Sequence, residues 1–79
     1  MARIVANPGI LGGKPIVDGT RLSVEHILGL LASGMSHEEI IADYPELSEE
    51  SIRAVLAYAA RALENEIIID VVSSRDGAS

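Results

Sequence analysis

The stretch from Ser33 to Ser51, SGMSHEEIIADYPELSEES, carries the punctuation that decides the fold. Gly34 supplies a C-terminal stop for a preceding helix, because glycine accepts the left-handed conformation that closes one. Ser36-His37-Glu38-Glu39 matches a capping box, in which the Ser oxygen and the Glu side chain satisfy free backbone N–H groups reciprocally. A short helix over residues 37–43 follows, and Pro45 ends it by biasing Tyr44 away from helical geometry. Ser48 then caps another helix, with Glu49 and Glu50 at its positive end. Three helices meet across two short turns.

Upstream, Ser23 caps a helix over residues 24–33, with Glu25 in its first turn and a wide apolar stripe of Val24, Ile27, Leu28, Leu30 and Leu31. Downstream, Ile52, Val55, Leu56, Ala59 and Leu63 fall at helical spacing, which carries the third helix to about Asn65. At the N-terminus, Arg3-Ile4-Val5-Ala6 reads as a short extended segment stopped by Asn7-Pro8-Gly9. Ile16-Val17 and Leu22 flank Asp18-Gly19-Thr20, a tight turn that needs positive φ at Gly19. A small β-element is expected there. Ile67-Ile68-Ile69-Asp70-Val71-Val72 is dense in β-branched residues and favours a strand, a helical continuation being the alternative. Residues 73–79 read as a disordered tail, so residues 1–72 form one domain.

Composition narrows the class. A chain of 79 residues holds one domain and buries only about 60–65% of its unfolded surface. It has no Phe or Trp and only Tyr44 and Tyr58, so the core is built of Ile, Leu, Val and Ala. So small a body cannot hide all that aliphatic surface, and self-association is the expectation. The strand face of Ile67, Ile69 and Val71, with Ile68 and Val72 on the other side, is the expected homodimer contact. The absence of cysteine excludes disulfides and thiolate metal sites. No apolar run approaches the roughly 20 residues of a membrane span, and the N-terminus is not a signal peptide, so a cytoplasmic setting is expected.

The net charge of −6 is unevenly spread. Residues 1–22 hold Arg3, Lys14 and Arg21 against Asp18 alone, whereas residues 23–79 hold three arginines against eleven carboxylates. An acidic body argues against broad attraction to nucleic acid and suits a cationic protein partner.

The opening segment GGKPIVDGTR, Gly12 to Arg21, raises the question of a phosphate cradle. A phosphate loop needs Gly-Lys-Ser/Thr opening a helix, but here Pro15 follows Lys14 and removes a backbone donor. The dinucleotide fingerprint fails on glycine spacing. Two successive turns account for the glycines, and Lys14 and Arg21 remain as a basic, partner-facing pair. His26 and His37 lack the spacing of metal ligands, Ser23, Ser36 and Ser48 have capping roles, and the paired glutamates occupy first helical turns. The reading is non-enzymatic and calls for no cofactor.

The order of the helices is the tri-helical helix-turn-helix pattern, whose third helix lies in the DNA major groove. Here that helix opens with Glu49, Glu50, Ser51 and Arg53. Two carboxylates there would be repelled by phosphates, although Glu can accept from cytosine. Pattern and charge disagree. If duplex DNA binds, Lys14, Arg21, Ser51 and Arg53 are the candidate contacts.

Residues 12–60 resemble the prokaryotic domain-of-unknown-function family 433: Gly-Gly-Lys-Pro, then Gly-Thr-Arg, a helix, Gly-Met-Ser, and Tyr-Pro before a final helix ending near Ala-Tyr-Ala-Ala. The resemblance implies a helix-turn-helix fold like that of VapB-type antitoxins and, as partner, a toxin with a PIN-like nuclease fold. The fold expected is mainly α: a three-helix helix-turn-helix core, homeodomain-like or winged-helix-like, with a short N-terminal β-element and a C-terminal association segment. The function expected is an antitoxin-like regulator that binds a toxin nuclease and operator DNA, the alternative being a protein-interaction module without DNA binding.

Overall fold

A computed structural model describes residues 2–66, with only the backbone described for residues 65 and 66. Two short strands, β1 (Ile4–Ala6) and β2 (Pro15–Val17), precede three helices, α1 (Val24–Ala32), α2 (His37–Asp43) and α3 (Glu49–Glu66). The fold is mainly α, as the helix signals require.

The start of each helix, and the end of α1, is satisfied locally. At α1, the Ser23 hydroxyl accepts from the His26 backbone N–H at 2.9 Å. At its other end Gly34, with φ 101°, donates to the Leu31 carbonyl, and Met35 donates to Leu30. These two bonds take up carbonyls that the last turn would leave unpaired. The capping box of α2 is complete: Glu39 N–H to the Ser36 hydroxyl at 3.1 Å, and Ser36 N–H to the Glu39 carboxylate at 2.8 Å. At α3 the Ser48 hydroxyl accepts from Ser51 N–H at 3.2 Å while Ser48 N–H donates to the Ser51 hydroxyl at 3.0 Å. A serine thus plays the part that glutamate plays at α2.

β1 and β2 pair antiparallel, with Ile4 opposite Val17 and Ala6 opposite Pro15. The pairing sets the hairpin against the helices: β2 packs on α1 and β1 on α3. The core is aliphatic throughout, made of Ile16 and Val17 from β2, Val24 and Ile27 from α1, Ile40 from α2, Leu47 from the second turn, and Ile52 and Val55 from α3. Tyr44 and Tyr58 pack at its margin. Burial in α3 stops at Val55. Leu56 and Leu63, which share the helical spacing of the core residues, are 40% and 53% exposed. α1, α2 and β1 pack on α3, whose buried residues Ser51, Ile52 and Val55 all lie in its first half.

The expected association segment, Ile67, Ile68, Ile69, Val71 and Val72, and the expected tail both lie outside the described residues. Among the described residues no helix is long and apolar enough to cross a membrane.

Candidate protein-interaction surface

Two consecutive turns build the surface that the signature segment forms. In the first, Asn7 opens a reversal: its side-chain oxygen accepts from Gly9 N–H at 2.9 Å and its carbonyl from Ile10 N–H at 2.8 Å. Leu11–Gly13 then forms a single short turn closed by Gly13 N–H to the Ile10 carbonyl at 3.0 Å. All three residues are left-handed, with φ of 51°, 66° and 87°. Glycine adopts this conformation freely, but for leucine it is strained by roughly 1–2 kcal/mol. The strained residue is also 48% exposed. Its side chain gains little burial in return.

The second turn is rigid. Gly19 has φ 86°, which lets the chain reverse between Val17 and Leu22. The Thr20 hydroxyl donates to the Val17 carbonyl at 2.8 Å and accepts from Leu22 N–H at 3.0 Å. Val17 N–H to the Leu22 carbonyl, at 3.1 Å, closes the loop. Arg21 projects from this braced turn into solvent.

Leu11, Lys14, Arg21, Leu22, Ser23 and His26 line one open groove of about 420 Å³. Lys14 forms an ion pair with Glu25 at 3.1 Å, but both side chains are more than half exposed, so the pair is weak. His26 donates to or accepts from the Tyr44 hydroxyl at 3.1 Å, its ring edge-on to the tyrosine at 5.7 Å. Arg3 is paired with Asp18 at 3.1 Å and Arg53 with Glu49 at 3.5 Å. Among the described cations, Arg21 has no partner. A second groove, of about 340 Å³, opens on the other side of Lys14. Pro15, Val24, Leu28 and Tyr58 give it an apolar lining between the Lys14 and Glu25 charges.

The start of α3 is different in kind. The His37 ring Nδ1 donates to the Glu49 carboxylate at 2.9 Å, and Arg53 approaches the same oxygen. The hydrogen bond from His37, aided by the charges of His37 and Arg53, holds Glu49 below the ordinary carboxylate range. Arg53 is therefore engaged along its own helix. Ser51, a candidate base contact on sequence grounds, is 5% exposed, and its hydroxyl lies 3.2 Å from that of Ser48. It serves the cap. Of the candidate contacts, Lys14 and Arg21 share a groove, while Arg53 and Ser51 stand apart from it on α3.

The roles of three participants were not foreseen from the sequence. Leu11 gave only a faint signal, a leucine ahead of two glycines. His26 and His37, discussed from the sequence only as lacking metal-ligand spacing, join Tyr44 and Glu49 across 18 and 12 residues of chain. Among the described residues no group of three His, Asp or Glu side chains is placed to hold a metal ion.

The family model described as protein of unknown function (DUF433) matches residues 4–59, from the start of β1 into the second half of α3. Both turns lie inside it. A protein of Sinorhizobium fredii (strain NBRC 101917 / NGR234), uncharacterized protein y4eO, is 39% identical over 56 residues, which cover 71% of this chain. That stretch spans a quarter of the relative's own length. No solved structure matches the chain. With its strands, both signature turns and most of its helices inside the matched region, the chain belongs to the DUF433 family.

Proposed function

We propose that this chain is a non-catalytic protein-interaction module of the antitoxin kind, which binds and neutralises a PIN-like toxin nuclease in the cytoplasm. The observation that carries this reading is the distribution of charge and apolar surface. The free cation and the exposed apolar side chain meet at the paired turns. The start of α3, where a DNA-reading helix would carry its donors, instead presents Glu50 and a Glu49 tied up by His37 and Arg53. An acidic body with one small basic–apolar face suits a protein partner better than a polyphosphate.

Operator binding is the second reading, favoured by the order of the three helices. Two measurements separate them. Co-expression with a PIN-like nuclease should give a complex that survives size exclusion. Retention on duplex DNA should be negligible near 0.1 M salt. A duplex held at low salt, with log affinity falling by about 0.9 per neutralised phosphate, supports the operator reading. Loss of that binding when Lys14, Arg21 and Arg53 are replaced by Ala would assign it to these residues.

A further inference from the structure

Two features at the paired turns have no role in holding the fold. Leu11 occupies a left-handed conformation, φ 51°, yet leaves nearly half its surface in water. A residue that is both strained and exposed is maintained against local preference, and such positions gather at binding sites. Arg21 is exposed and unpaired among the described residues, although four hydrogen bonds at Val17, Thr20 and Leu22 fix the turn that carries it. A guanidinium on a rigid support loses little freedom on binding, and its planar fork matches a carboxylate. Both residues line the same groove, over Leu22.

We propose that this groove docks a segment of a protein partner that places a carboxylate on Arg21 and an adjacent apolar side chain against Leu11 and Leu22. The charges favour this occupant over a phosphate. Lys14 is already shared with Glu25, and Glu46 lines the neighbouring groove on the other side of Arg21. Glu25 and Glu46 border the groove without lining it, so one singly charged group is accommodated on Arg21 where an extended polyanion would also approach those carboxylates. A phosphate would also leave the apolar floor unused. The proposal rests on the protein-interaction reading above and names the chemistry that the partner must present.

The test uses the full chain, labelled with 15N, and two probes: the blocked dipeptide acetyl-Leu-Asp-amide and inorganic phosphate. The dipeptide should shift the backbone amides of Leu11–Lys14 and Arg21–Leu22 saturably at millimolar concentration, and phosphate should move them far less. Arg21→Ala should abolish the response at an unchanged thermal midpoint. Leu11→Gly should weaken the dipeptide about five-fold, the loss of one partly buried leucine contact. The same change should leave the thermal midpoint within about 2 °C or raise it, because release of the strain offsets the added freedom of the unfolded chain. No saturable shift up to about 20 mM dipeptide, an equal or stronger response to phosphate, or a Leu11→Gly midpoint that falls by more than a few degrees would each overturn the proposal. If the dipeptide binds while no nuclease co-purifies, the site stands and the antitoxin reading fails. A nuclease complex insensitive to Arg21→Ala and Leu11→Gly removes the site alone.

Discussion

The turns between the helices and the turns around the hairpin use similar residues to opposite ends. Between the helices, every unusual residue satisfies a backbone group. Gly34 and Met35 take up the last carbonyls of α1, Ser36 and Glu39 exchange hydrogen bonds, and Ser48 and Ser51 repeat the exchange at α3. Around the hairpin, Gly19 and Thr20 do the same for their turn, but Leu11 and Arg21 are left over. One is strained without burial and the other charged without a partner. The contrast is the basis of the proposed site: what local physics does not require is available for a partner.

That contrast can be broken first at the core both regions share. Ile52 is fully buried among side chains of all three helices and β2. Ile52→Ala should destabilise by about 2–4 kcal/mol, read by denaturant unfolding, because the packed side chains around it can relax only partly into the cavity. A loss well below that range would mean the interior is looser than its burial implies. Next in size is Gly19→Val. The turn needs φ 86°, so the variant should lose about 1–3 kcal/mol although a Cβ there meets no atom within 4 Å. Unchanged melting would remove conformation as the reason for glycine.

Ser36→Ala sharpens the helical side of the comparison, with an expected loss of about 1 kcal/mol from the broken capping box. Thermal unfolding of Glu39→Gln alongside should show a smaller loss, since an amide oxygen still accepts from Ser36 N–H.

How much of this was readable in advance follows the range of the interactions. The helices were legible because their caps are local: Ser23, Ser36 and Ser48 sit within three residues of the N–H groups they serve. The Asp18-Gly19-Thr20 reversal was legible for the same reason. The strand pairing of Ile4 with Val17 was foreseen only as a β-element, since its register depends on how residues 7–13 turn. The strain at Leu11 was not legible, because a leucine preceding two glycines does not reveal which residues become left-handed. The His26–Tyr44 and His37–Glu49 contacts join separate elements, and no spacing rule announces them. Lys14 and Arg21, read together as a basic pair, line one groove, whereas Ser51 turned inward because α3 needed it for its cap.

The smallest expected effect concerns pH. Glu49 titrates below the ordinary value of 4.5 in the folded chain, so its interaction with His37 stabilises fully above that value. The contribution disappears as pH falls through the lower folded value. Wild-type protein should therefore lose more stability than Glu49→Gln on acidification from pH 6 to about pH 3. Parallel melting curves for the two proteins would show that the contact is not maintained in solution.

Hydrogen exchange on the full chain, alone and with an equimolar PIN-like nuclease as the proposed partner, addresses the central claim most directly. The paired turns should gain protection on binding, at the amides of Leu11–Lys14 and Arg21–Leu22, while those of Glu50–Arg53 exchange as in the free chain. Protection concentrated at the start of α3, with the paired turns unchanged, would contradict the account.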